Sequence, residues 1–169
     1  MKVFHIGLMA TIASISLGLV GLVGAQQPTS SSHHDEVKTR GAHVMGFDQE
    51  KTAHHFYLYK DGGAIDVVVT SSTDTTNLDA IRGHLPHIAS MFSDGNFDAP
   101  MLVHATDVPG TADMAKLRDR IRYKFVDTPL GGRVSIVTAD PAALSAVHRF
   151  LRFQIADHQT GDSTEIRTR

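Results

Sequence analysis

The 169-residue chain predicts an α+β fold: two ββα pseudo-repeats forming an antiparallel sheet of four or five strands, with helices packed on one face. Three observations predict it. The stretch HHFYLYKDGGAIDVVVT returns in kind as IRYKFVDTPLGGRVSIVT. Each copy has an alternating segment, a Gly-Gly turn (Gly62-Gly63 or Gly131-Gly132) and a β-branched strand closing on Thr70 or Thr138. Each is then followed by an amphipathic helix with its own cap.

Residues 1–25 read as an export leader. Lys2 supplies a positive start, Val3 to Val23 is almost wholly apolar or small, and Val23-Gly24-Ala25 offers a cut after Ala25. Residues 26–40, QQPTSSSHHDEVKTR, lack any apolar period and read as a flexible linker. Residues 41–169 are expected to form one domain, with units at about 53–92 and 121–158 and a tail at 159–169. Ala42 to Phe47 could add an edge strand. Asp61-Gly62 between apolar alternations marks the first hairpin, because glycine accepts the positive φ of a tight turn.

In the first helix Leu78, Ile81, Leu85 and Ile88 form one apolar stripe, with Asp74 as cap. Pro86 within it removes a backbone hydrogen bond and predicts a bend around His84 to His87. Ser93 to Gly110 reads as a turn-rich connection, and Thr111 to Arg120 as a short helix with Met114 and Leu117 on its buried side. The second long helix carries Leu144, Val147, Leu151 and Ile155, and opens on Asp140-Pro141.

Composition narrows the chemistry. The chain has 11 His and no Cys, so thiol catalysis, cysteine zinc sites and iron–sulfur clusters are excluded. The histidines point to nitrogen-based rather than thiolate metal chemistry. With 16 Lys and Arg, one of them in the leader, against 18 Asp and Glu, and no basic block, nucleic acid is not an expected partner. No membrane span is expected once the leader is cut. The chain also lacks His-Glu-x-x-His, Gly-x-Ser-x-Gly, a phosphate loop and a dinucleotide fingerprint.

His84, His87 and Met91 are spaced i, i+3, i+7, which puts two imidazoles and a thioether on one helical strip. That set suits copper, and its imidazoles suit zinc. His54 shares a strand face with Phe56 and Leu58, under the helices, and is the best source of a third imidazole. The competing account is packing: with the stripes superposed, Phe150 and Phe153 fill the places of His84 and His87. His43 with Met45, and Met101 with His104, are further His–Met pairs. His158 in a last helical turn has an ordinary role in satisfying free carbonyls. Arg122 and Lys124 point away from Ile121, Tyr123 and Phe125 and make one sheet face locally basic, an anion or acidic-partner surface in one reading and a solvated face in the other.

The runs MGFDQEKTAHHFYLYKDGGAIDV, HLPHIASMFSDGNFDAPMLVH and VHRFLRFQIADHQTGD resemble a group of small exported bacterial proteins of unknown function. Some of that group carry the label aspartate carbamoyltransferase. The label does not carry over, since Ser71-Ser72-Thr73-Asp74 lacks the arginine of that enzyme's carbamoyl-phosphate loop and the chain is far too short. The resemblance implies export and a shared fold, with no activity or site. The expected protein is therefore an exported small binding protein, periplasmic or secreted. It coordinates copper or zinc through His84, His87, His54 and Met91. The alternative is a metal-free module for a protein partner or small ligand.

Overall fold

Alternation and glycine turns produce two hairpins in the computed structural model, which describes residues 30–168. β1 (Thr52–Tyr59) pairs with β2 (Gly62–Val69), and β3 (Ile121–Thr128) with β4 (Gly131–Thr138). β2 and β4 run antiparallel at the centre, so the order is β3-β4-β2-β1-β5. The last strand, β5 (Ile166–Arg167), pairs parallel with Leu58 and Tyr59. The sheet is therefore mixed rather than wholly antiparallel. Its fifth strand comes from the tail, not from Ala42–Phe47.

The central crossing is reciprocal. Gly62 faces Val137 and Gly131 faces Val68. Val69 N–H donates to Leu130 O at 2.8 Å and Thr138 N–H donates to Asp61 O at 2.9 Å, so each turn is stitched to the other hairpin. The backbones come so close here that a Cβ on Gly131 would stand 1.9 Å from Val67 O.

Helices follow each hairpin. α1 (Ser30–Met45) precedes them all; α2 (Thr75–Ser93) follows β2; α3 (Asp98–His104) and α4 (Thr111–Lys116) fill the connection; α5 (Pro141–Asp157) follows β4. The Asp74 carboxylate accepts from Asn77 N–H, and the Asp140 carboxylate from Ala142 and Ala143 N–H, as the capping residues predict. α2 runs on through Pro86, which sits on its exposed side. Ile81, Leu85 and Ile88 of α2 and Val147, Leu151 and Ile155 of α5 are buried on the sheet face carrying Phe56, Leu58, Ile65, Val67, Val134 and Ile136. Leu151 and Leu85 press against Gly63 and Gly132, whose missing side chains leave room for them.

Residues 30–40 are not a linker but the front of α1. The reading failed because the helix has few apolar residues. Its stripe is Val37, Val44 and Met45, and the rest of its docking is polar: Arg40 Nε–H donates to Val103 O at 2.7 Å. Gly46, at φ 74°, ends the helix where an edge strand was expected. Val37 is 1% exposed. Val37→Ala should weaken the docking of α1 by about 1–2 kcal/mol. Amide exchange should then quicken in α1 while β2 and β4 stay protected.

The expected leader, residues 1–25, and residues 26–29 lie outside the described residues. Among the described residues no helix is long and apolar enough to cross a membrane.

Candidate functional site: a buried histidine cluster

The strand parity that buries Phe56 and Leu58 also turns His54 under the helices. There it meets His158, the residue that closes α5. The two imidazoles are stacked, with ring centroids 5.2 Å apart and planes 17° apart. His104, on the last turn of α3, stands edge-on to His158 with centroids 4.9 Å apart. His104 is 2% exposed and both ring nitrogens are engaged: Nδ1 with Asp157 Oδ2 at 2.5 Å and Nε2 with the Gln154 amide at 3.1 Å. The other carboxylate oxygen of Asp157 accepts from His33 Nε2 of α1 at 2.9 Å. One carboxylate thus joins α1, α3 and α5 through two histidines.

A cavity of about 70 Å³ lies against this cluster. Its walls are apolar (Phe56, Ile65, Leu85, Phe92 and Phe150 among them) apart from His54, His84, His104, His158 and Gln154. On the outer side of the His54–His158 stack, a polar recess of about 290 Å³ is lined by His34, Lys38, Glu50 and His55. The stacked rings are the partition between the two spaces.

Burial and mutual repulsion hold these rings uncharged. His54 is pushed down to about 4, by loss of solvent first and then by the charges His84, His55 and His104 would carry. His84 is also lowered to about 4, by burial and then by His87. His158 is lowered well below the ordinary imidazole value, by burial and then by His54, His104 and His34. For Asp157 burial pushes upward, but the hydrogen bonds and charges of His104 and His33 outweigh it and leave the carboxyl below its usual value. Two polar atoms here are buried without a partner among the described residues, His34 Nδ1 and Gln154 Nε2.

Of the four expected ligands, the fold brings two to this place. His54 and His84 both line the cavity, with the Phe47 ring against each (5.9 and 5.8 Å between centroids). His87 is exposed, and Met91 packs half-buried on the core. Among the described residues no three His, Asp or Glu side chains converge as a set able to hold a metal ion. Met45 lines the cavity while His43 is exposed. His148 has an ordinary structural role, its Nε2 contacting Tyr59 O at 2.9 Å and Gly62 O at 3.1 Å.

Sequence reasoning missed Gln154 and Asp157 as members of the site; it left His34 in a linker, His104 in a His–Met pair with Met101, and His158 in a helix-end role. One signal was available: Gln154, Asp157 and His158 fall at i, i+3, i+4, a polar strip on an otherwise apolar helix. Compared with protein-family models, curated proteins and solved structures, the chain matches none.

Proposed function

We propose that this is an exported small binding protein whose site is the His54–His158 pair between the cavity and the recess, and that it takes a copper or zinc ion there once the rings turn, with His34 of the recess wall as the third ligand. The single observation that carries this is the stacking of His54 of β1 on His158 at the end of α5, two imidazoles that burial holds below the ordinary imidazole value. Neutral imidazole is the ligand form, so these rings need lose no proton to bind. Their spacing suits a metal too. Two imidazoles on one tetrahedral ion, with metal–nitrogen bonds of about 2.0–2.1 Å, have centroids roughly 5 Å apart. The observed separation of His54 and His158 is 5.2 Å. Binding then asks for ring rotation rather than movement of backbone. Asp157 and Gln154, through His104, fix one wall while His54 and His158 turn.

Calorimetric titration at neutral pH should find one Cu(II) or Zn(II) bound with micromolar affinity or better. His54→Ala with His158→Ala should abolish it, while His87→Ala should leave it unchanged. No binding by the parent, or equal binding by the double variant, overturns the metal reading. Loss in His84→Ala with His87→Ala alone would move the site to the α2 strip with Met91.

Gln154 Nε2 favours a second reading, a small apolar molecule with a carbonyl or hydroxyl group held in the metal-free cavity. Such compounds would then raise the melting temperature of the parent but not of Gln154→Ala. The two ββα units are further read as copies of one unit, since the same residue offset carries Asp61 to Leu130, Gly62 to Gly131 and Val69 to Thr138.

A further inference from the structure

β3 is the outer strand of the sheet at the end opposite β5, and among the described residues only β4 pairs with it. It is eight residues long, enough to template another strand. At its far end Arg82 Nη2–H donates to Thr128 O at 2.8 Å and Arg82 also meets Asp127 at 3.5 Å, which occupies the last turn of the edge. The remaining stretch, Ile121 to Val126, is bordered by a groove of about 510 Å³ lined by Ser93, Ile121, Arg122, Tyr123, Lys124, Ser135 and Val137.

The side chains along this edge alternate in a definite way. Arg122 and Lys124 face the open side of the sheet and are exposed; neither forms an ion pair among the described residues. The nearby cations are occupied: Arg120 by Asp140 at 3.1 Å, and Arg133 by both oxygens of Asp66 at 2.6 Å. Tyr123 and Phe125 point to the other side and are half-buried against the core.

We infer that the β3 edge is a docking site for an acidic extended segment of a partner protein, added as a further strand. Backbone pairing would supply affinity, and side chains at alternate positions would supply choice. A partner strand lies about 4.8 Å away, and every second residue falls on the same face about 6.8 Å apart. Carboxylates spaced i, i+2 would therefore meet Arg122 and Lys124 as cross-strand pairs. Apolar residues between them would extend the row of Tyr123 and Phe125. The matching pattern is acidic–apolar–acidic–apolar. A second copy of this chain does not match it, because pairing β3 with itself sets these two cations against their own counterparts.

The test is fluorescence anisotropy with a labelled, end-capped peptide Glu-Val-Glu-Val-Glu-Val at low salt. Saturable binding is expected, weakened at least tenfold by Arg122→Glu with Lys124→Glu and at least severalfold by Arg122→Gln with Lys124→Gln. Both positions are exposed, and an unchanged far-ultraviolet circular dichroism spectrum verifies the fold. A peptide Lys-Val-Lys-Val-Lys-Val should bind the charge-reversed variant instead. The inference is overturned by absence of saturable binding. It is also overturned by equal binding of the block peptide Glu-Glu-Glu-Val-Val-Val, which means charge without strand pairing. Self-association lost in the reversed variant, with no peptide bound, overturns it in favour of a second copy.

Discussion

Gly131→Ala is expected to destabilise the protein by at least ~3 kcal/mol and to remove most of its soluble yield. The methyl group would lie 1.9 Å from Val67 O and 2.9 Å from both Val67 C and Val68 Cα, all backbone atoms of the neighbouring strand. Relief requires β4 to move off β2, and these two strands form the middle of the sheet. The same crossing holds Gly62, whose Cβ would stand 2.0 Å from Ile136 O and whose φ is 142°. Alanine there adds backbone strain to the clash. Gly83 is the control. It lies on the exposed side of α2 with nothing within 4 Å of a Cβ, so Gly83→Ala should stabilise by about 0.5–1 kcal/mol. Urea unfolding of the three variants tests the contrast, and a mild effect at Gly131 would refute the close approach of β2 and β4.

Acid should unfold the metal-free protein well above the usual carboxylate range. An imidazole whose folded pKa lies below its unfolded value of about 6.5 takes its proton more readily in the unfolded chain. Its contribution is therefore complete above pH 6.5 and is lost as pH falls toward the folded value. For His54, at about 4 in the fold, the full loss is on the order of 3 kcal/mol, with roughly 2 kcal/mol gone at pH 5. His84 and His158 shift in the same direction and deepen the fall. Asp157 is lowered instead, so its contribution survives this window and disappears only below it. Urea midpoints between pH 7 and pH 4.5 should drop steeply in the parent and less in His54→Phe, which keeps a ring in the stack. A flat profile in the parent would contradict the burial of these imidazoles.

The hairpins and both long helices were legible because local signals agreed with the tertiary result: period-2 alternation, Gly-Gly turns, Asp caps and apolar stripes. α1 was illegible for the opposite reason. Val37 is the one apolar residue in SSSHHDEVKTR, with Val44 and Met45 beyond it, so the run has no period, and polar contacts to other elements complete its docking. β5 has two residues, too few to leave a pattern. α3 hides in a segment whose glycines and prolines read as turns. At the site, strand parity gave His54 and helical spacing gave His84. That spacing also suggested His87 and Met91, which the rotation of α2 turns to the surface and to the core edge. Asp157 carries no local signal, because both its partners, His33 and His104, are distant in the chain. The C-terminal role foreseen for His158 is met by its backbone, whose N–H donates to Gln154 O at 3.0 Å; its ring was left free for the cluster.

The tail gives the sheet two unlike rims. Asp162 anchors it beside β1, one oxygen meeting His55 Nδ1 at 3.1 Å and the other accepting from Phe56 N–H at 2.9 Å. Ile166 and Arg167 then pair with Leu58 and Tyr59 at the end of that strand, with the Arg167 guanidinium 5.2 Å from the centre of the Tyr57 ring. A protease cutting at Gly161 would strip this cover and bare a strand rich in Phe, Tyr and Leu, with no lysine facing outward to repel a neighbour. Trimming these terminal residues is thus expected to open this rim to edge-to-edge pairing between copies, while the cations of the opposite rim repel their own counterparts.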